Sequence, residues 1–259
     1  MAAELLAQRN ESTLVLTLSN PGVRNALHPD MYAAGVEAFE VVERDASITA
    51  VVMTGADDFF CAGGNLNRLL ENRAKDPAEQ AQSIEALGAW ISAIRSCSKP
   101  VIAAVEGAAA GAGFSLVLAC DMVVSAENAK YVMAYARVGL TPDGGGSWFL
   151  ARSLPRALAS EILIEGKPVS ATRLYEAGLI NRLVKPGSAR DAALEWAQQL
   201  NQISPNVVAR MKGLIEQAAT QPLANHLLSE RDSFVESLFH RDGLEGISAF
   251  LEKRPARYL

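Results

Sequence analysis

Histidine and cysteine are scarce in this chain, with three of each among 259 residues. His28, His226 and His240 lie far apart and form neither an HxH nor an HExxH pattern, so no zinc-type metal centre is expected. Cys61, Cys97 and Cys120 are odd in number and show no CxxC spacing. Free thiols in a reducing cytoplasm fit that usage best. No apolar run reaches the roughly 18 residues that a membrane span needs. The opening stretch MAAELLAQRNES is too polar for a secretory signal. No basic block stands out, and the formal net charge is −5, so nucleic acid is not an expected partner. The chain also lacks GxGxxG, GxxxxGK[ST] and GxSxG, which argues against a dinucleotide fold, a P-loop and an α/β-hydrolase.

What is present is an alternation of short apolar runs with helical patterns. Thr13–Leu18, Ala50–Thr54 and Val101–Val105 read as buried strands, each closed by a turn residue. Met122–Ser125, Tyr131–Met133 and Leu179–Val184 are further candidates. Pro29 and Asp30 open a helix with Met31, Ala34, Ala38 and Val42 on one face. Ser147–Leu154, Arg156–Ile164 and Ser170–Ala177 read as helices, the last with Ser170 as N-cap and Gly178 as the residue past its end. Strands separated by helices imply crossover connections and an α/β core. Asn67–Lys99 is polar at first and amphipathic later, and reads as a lid or surface helix that lines a pocket. A composition break falls near residues 186–204, after which only helices are suggested.

Small-residue turns carry the candidate chemistry: Cys61–Leu66 (CAGGNL), Gly107–Gly113 (GAAAGAG) and Leu140–Ser147 (LTPDGGGS). Each could be a plain tight turn. Each could equally bring backbone N–H groups close to a ligand, because glycine and alanine leave room and a helix start leaves its first N–H groups unpaired. Asn65 can cap the helix that follows the first turn. Ser115 reads as a local hydrogen-bonding group, since no histidine has an argument for standing near it. Asp143 is either a turn residue or, among apolar neighbours Tyr135, Val138, Leu140, Trp148 and Phe149, a general base with a raised pKa.

Taken together, NPGVRNAL at Asn20–Leu27, FFCAGGNL, KPVIAAVEGAAAGAGFSLVLACDMVVS, RVGLTPDGGGSWFLARSLP, SPNVVARMKGLIEQA and EGISAFLEKRPARY resemble the enoyl-CoA hydratase/isomerase (crotonase) superfamily over nearly the whole chain. The resemblance implies a ββα spiral as the acyl-CoA-binding core over residues 1–195 and a helical trimerisation region over 196–259. Trimers in such families commonly pair into hexamers. It implies a thioester oxygen held by the N–H groups of Gly64 and Ala112. It implies coenzyme A, carried as part of the substrate and not as a covalently bound cofactor, lying across Arg24, Ala26, Ala62, Gly64 and Leu66. Lys212, and from a neighbouring subunit Phe250 with Lys253, are candidates for its phosphates and adenine.

Two departures set the expected activity. Ser115 and Tyr135 stand where the family's hydratases carry glutamates, and Asp143 matches the acid of several family isomerases. The resemblance therefore favours an acyl-CoA isomerase acting on enoyl or ring-epoxide phenylacetyl thioesters, as in fatty acid or phenylacetate breakdown. The same position is a nucleophile in the family's dehalogenases. A hydratase with relocated acids (Asp57, Asp58 or Glu71) and a non-catalytic CoA-binding scaffold are the rivals. Asn65, where the family usually has Asp, should keep the cap.

Overall fold

Val101–Val105 folds as the strand that its apolar run implies, and every residue in it is buried. A strand buried on both faces needs cover on both, and the rest of the chain supplies it. The computed structural model describes residues 3–258. In chain order the elements are β1 (Glu4–Asn10), β2 (Thr13–Ser19), α1 (Pro29–Arg44), β3 (Ala50–Gly55), α2 (Leu66–Asn72), α3 (Pro77–Ser96), β4 (Val101–Val105), β5 (Ala108–Ala110), α4 (Ala112–Ala119), β6 (Met122–Ala126) and β7 (Lys130–Val132). A 3-10 helix (Ala134–Val138) follows, then α5 (Gly146–Ser153), α6 (Arg156–Glu165), β8 (Val169–Ser170), α7 (Ala171–Glu176), β9 (Arg182–Val184), α8 (Ala189–Leu200), α9 (Pro205–Ala218), α10 (Leu223–Phe239) and α11 (Arg241–Glu252).

The main sheet has the order β1-β2-β3-β4-β6-β9, parallel except for the antiparallel β1/β2 pair. Side chains alternate across it, as the two-residue strand period requires. Val101, Ala103 and Val105 join the main core with Val51 and Met53, which α1, α3 and α4 cover. Ile102 and Ala104 join Ala50, Val52 and Val124 on the other face, beneath Ala189, Ala193 and Ala197 of α8. A second sheet, β5-β7-β8, lies where the chain passes from strand to helix. The run β4-β5-α4 is one ββα unit, and the α/β architecture is the one expected.

Three details differ from the sequence reading. First, Glu4–Asn10 is a strand, paired from Glu4↔Ser19 to Asn10↔Thr13. It is a largely exposed edge, so it carries no apolar alternation to read. Second, the buried stripe of α1 is Met31, Tyr32, Gly35, Phe39 and Val42, with Ala34 and Ala38 at its margin. Gly35 is central because α1 crosses α3 there: a Cβ at Gly35 would lie 2.3 Å from the Trp90 ring. Third, α8 runs through residue 195, where the helical region was expected to take over, and it packs on the sheet.

The chain leaves the core at Ser204, whose hydroxyl caps α9 at Val207 N–H (3.2 Å) and donates to Asp242 on α11 (2.5 Å). Neither α9 nor α10 contains a buried residue. Among the described residues, no helix is long and apolar enough to cross a membrane.

Candidate active site

Three chain segments are laced together beyond the ends of β3 and β4. Cys61 N–H donates to Ala108 O (3.1 Å), and Ala110 N–H donates back to Cys61 O (2.9 Å). Ala62 N–H donates to Arg24 O (3.0 Å), and Leu27 N–H to Gly63 O (2.8 Å). The Asn25 side chain donates to Ala56 O (2.9 Å) and Phe59 O (2.7 Å), which holds the intervening loop. Sequence reading passed over Asn25, although a buried Asn in a turn signals this kind of bracing.

Two glycines make the lacing possible. Gly63 has φ +82°, and a Cβ there would stand 2.5 Å from Ala110 O. A Cβ at Gly113 would stand 2.7 Å from the Cys61 side chain. Any larger residue would push the Cys61–Gly64 strip away from the start of α4. Gly111, at φ +51° and ψ −125°, turns the chain into that helix without a side-chain cap.

Ala112 is therefore the first helical residue, and its N–H has no partner one turn back. Among the described residues, neither the Ala112 N–H nor the Gly64 N–H has a protein acceptor. Ala112 N lies 3.4 Å from the position of a Gly63 Cβ, so the strip that carries Gly64 runs against the start of α4. This arrangement can bind an oxygen that gains negative charge.

Asp143 is held against α4 by Ser115 and linked to the Gly111 turn by Tyr135. After the 3-10 helix, Gly139 (φ +71°) ends the turn and Gly144 and Gly145 (φ +57° and +79°) follow the acid. A Cβ at Gly144 would meet Ser115 at 3.0 Å and Leu87 at 3.4 Å, so this turn is pressed onto α4 and α3. Ser115 donates its hydroxyl to Asp143 O (3.0 Å), and Gly146 N–H donates to the same carbonyl (3.2 Å). Ser115 is thus the local hydrogen-bonding group expected, and its partner is the backbone of the candidate base.

The Tyr135 hydroxyl donates to Asp143 Oδ1 at 2.5 Å. It also lies 3.5 Å from the position of a Gly111 Cβ, beside the turn that carries Ala112. Burial raises the pKa of Asp143, and the Tyr135 hydrogen bond opposes that rise. Burial first, and the Asp143 charge second, push the Tyr135 phenol far above its ordinary value, so it stays protonated. Tyr32 is likewise pushed up to about 12, mainly by burial. The Cys61 thiol beneath the turn is pushed up to about 12 by burial and is no thiolate nucleophile at neutral pH. Of the apolar neighbours expected to shield Asp143, Val138, Leu140 and Trp148 are exposed. The expected Tyr135 and Phe149 do stand against the turn, together with Met133, Leu87 and Ser115.

Other candidates fall into two sets. Arg24, Ala26, Ala62 and Leu66 lie on the laced segments next to Gly64. There, Arg24 (φ +50°) places its guanidinium 5.7 Å from the Phe59 ring centre, and Ala26 is buried while Leu66 is exposed. Asn65 caps α2 through Asn67 N–H (3.0 Å) and Arg68 N–H (3.3 Å).

The structure does not bring Lys212 to this ledge. Its ammonium donates to Asp121 Oδ2 (2.5 Å) and Lys99 O (2.8 Å), at the opposite end of β4, where a local anion holds it. Phe250, 83% exposed on α11, and Lys253, which ends that helix at φ +54°, have no place at the site within one chain. Asp57 and Asp58 line a separate cleft of about 490 Å³ with Glu106 and Asp191, which none of Gly64, Ala112, Tyr135 and Asp143 lines. Glu71 is exposed on α2. Among the described residues, no group of His, Cys, Asp or Glu could hold a metal ion.

Known proteins resemble this chain over nearly its whole length. The family model described as enoyl-CoA hydratase/isomerase matches residues 8–259. The chain is 36% identical over 259 residues to a 1,2-epoxyphenylacetyl-CoA isomerase of Escherichia coli, covering 98% of this chain and 97% of that one. It is 35% identical over 252 residues to a 2,3-dehydroadipyl-CoA hydratase of the same organism, covering 97% of each. A crystal structure of an enoyl-CoA hydratase from Polaromonas sp. JS666 superposes with a TM-score of 0.98 at 56% identity, covering 99% of this chain and 100% of that one. With this fold and these matches, the chain belongs to the enoyl-CoA hydratase/isomerase (crotonase) family and is a CoA-thioester enzyme.

Proposed function

We propose that the protein isomerises acyl-CoA thioesters, shifting a double bond or opening a ring-epoxide phenylacetyl group, with Asp143 as the single acid/base. The observation that carries this reading is the pairing of Asp143 with Tyr135 beside two unpartnered N–H groups. The thioester oxygen sits between the N–H groups of Gly64 and Ala112. Asp143 removes a proton from the carbon next to the thioester or conjugated with it. The electron pair moves onto the thioester oxygen as an enolate, which the two donors stabilise. The carboxylic acid then returns the proton at a second carbon on the same face. A raised pKa suits a group that must both take and give a proton near neutral pH. Each donor contributes about 2.7–4 kcal/mol to the charged state, by analogy with measured oxyanion holes.

The hydratase reading draws on relatives named hydratases. It needs a second acid to manage the water, and Asp57, Asp58 and Glu71 lie elsewhere. Coenzyme A enters as part of the substrate, along Arg24, Ala62 and Leu66. The bare apolar faces of α9, α10 and α11, with Phe234, Phe239, Leu244 and Phe250 exposed, support a trimer or a dimer of trimers, with the partner's tail completing the CoA site. The test of the chemistry is Asp143→Asn, assayed on 3-enoyl-CoA and on ring-epoxide phenylacetyl-CoA. Turnover should collapse on whichever thioester the native enzyme isomerises. Undiminished turnover removes Asp143 from the mechanism, and hydration of crotonyl-CoA that survives the substitution favours the hydratase.

A further inference from the structure

We propose that Tyr135 is a positioning residue that divides the Asp143 carboxylate into a held oxygen and a working oxygen, and closes the space between that carboxylate and the Ala112 turn to water. The inference rests on the reading of Asp143 as the proton carrier.

The geometry is specific. A free carboxylate rotates about its last bond, so either oxygen can meet a substrate. Here Oδ1 receives the phenol hydroxyl at 2.5 Å. The backbone behind it is fixed by Ser115 and by Gly146 N–H. Among the described residues, no other side chain donates to this carboxylate; only its own backbone N–H does. Oδ2 is left as the oxygen that exchanges a proton with the substrate. The phenol hydroxyl also stands 3.5 Å from the position of a Gly111 Cβ, so Tyr135 links the base to the turn that carries Ala112.

Toward the carboxylate the phenol donates, while its oxygen accepts from the Asp143 backbone N–H and from Ser115. It is buried and faces a carboxylate, so it stays protonated across the working range. The other titratable groups nearby belong to different elements. Tyr32 comes from α1, Arg68 acts on Tyr32 from α2, and Cys61 lies under the turn. Tyr32 and Cys61, both pushed up by burial, are neutral near pH 7. Any change in Asp143 titration on removing the phenol hydroxyl therefore reports that hydrogen bond.

The consequence is a one-face shuttle. With a single free oxygen on a carboxylate held by the phenol, the proton taken from one carbon is the one returned to the next. Loss of the phenol hydroxyl frees the carboxylate to rotate and opens a place for water.

Infrared titration of the Asp143 carboxylate tests the contact without any substrate. Difference spectra are taken for the native enzyme against Asp143→Asn, and for Tyr135→Phe against the Tyr135→Phe, Asp143→Asn pair. The Asp143 midpoint should be higher in Tyr135→Phe, because a hydrogen bond to the charged form is lost. Coincident midpoints overturn the proposal. Deuterium at C2 of 3-hexenoyl-CoA tests the shuttle. Tyr135→Phe should lose about tenfold in kcat with KM nearly constant, and should release more label to solvent. Equal label retention with an unshifted kcat overturns the positioning role. A collapse in the Asp143→Asn rate alone bears on the base, whereas the Tyr135→Phe spectra bear on the clamp, so the two readings fail separately. Melting of Tyr135→Phe close to the native temperature shows that the fold is kept.

Discussion

At the start of β4, every polar group meets its counterpart. Val101 N–H donates to Asp121 Oδ2 at 2.7 Å, and Lys212 Nζ donates to the same oxygen at 2.5 Å and to Lys99 O at 2.8 Å. The Lys99 ammonium in turn donates to the carbonyls of Val42 and Asp45. Beyond the other end of β4 the pattern reverses. Among the described residues, Gly64 and Ala112 keep N–H groups without protein acceptors, and Asp143 is a half-buried carboxylate that pairs with a phenol. One end is neutralised by local charge and holds α9 to the sheet. The other keeps donors and an acid apart, so that a substrate oxygen and a substrate proton can complete them. Unpaired groups at a buried strand end cost stability. Their presence at only one end marks where the molecule trades stability for chemistry.

The sharpest break in that comparison is Asp143→Asn. General-base removal lowers kcat by about 10²–10⁴-fold, read by steady-state kinetics. The same substitution should not lower the melting temperature at pH 7. Because its folded pKa is raised, Asp143 favours folding when protonated, and that contribution is lost as pH rises through the folded value. Asparagine has no charge to bury. The melting advantage of the variant should thus be largest at neutral pH and close as pH falls below the ordinary Asp range, followed by calorimetry. A variant that melts lower at every pH would place Asp143 with Asp121 as a structural acid.

Ala112→Pro removes one N–H and sets a ring carbon where its hydrogen pointed, at a helical position that tolerates proline. A loss of about 10²–10³-fold in kcat is expected. Native kcat would assign the thioester oxygen to another donor. At the neutralised end the effect should appear in stability instead. Lys212→Ala should destabilise by about 1.5–3 kcal/mol in urea, the range for hydrogen bonds to charged groups, with KM for the CoA thioester unchanged. The side chains of Lys212 and Asp121 are 12% and 21% exposed, which keeps the loss below that of a fully dry ion pair. A raised KM would return Lys212 to the CoA phosphates. Asn65→Ala should be the mildest change, about 0.5–2 kcal/mol for a lost helix cap, with little effect on kcat.

Much of this was legible because the signals were local. VIAAV lies between Pro100 and Gly107, and a buried strand has few other ways to look. Ser170 and Gly178 mark both ends of α7, one through its cap to Arg173 N–H and the other through φ +82°. The small-residue turns were legible because only glycine and alanine fit where Cys61 and Ala110 come so close. What escaped were partnerships across distance. Nothing in the string pairs Lys212 with Asp121, 91 positions away. Tyr135 read as the site of a missing glutamate, whereas its role depends on how the 3-10 helix aims the phenol back at Asp143. Strand β5 escaped because AAA within GAAAGAG has no pattern of its own and pairs only through β7 and Cys61.

Helix α4 carries a further meaning. Ala112 at its first turn and Ser115 three residues later are held by one rigid rod, and Ser115 fixes the Asp143 backbone. If the proposed chemistry holds, the span between the Ala112 N–H and the Asp143 carboxylate is a fixed gauge set by a single helical turn. Helices α2 and α3, which reach the site through Leu69 and Leu87, lie outside that gauge. Mutation there can widen or narrow the acyl chamber without retuning the reaction distance, so selectivity and chemistry can evolve on separate parts of the frame.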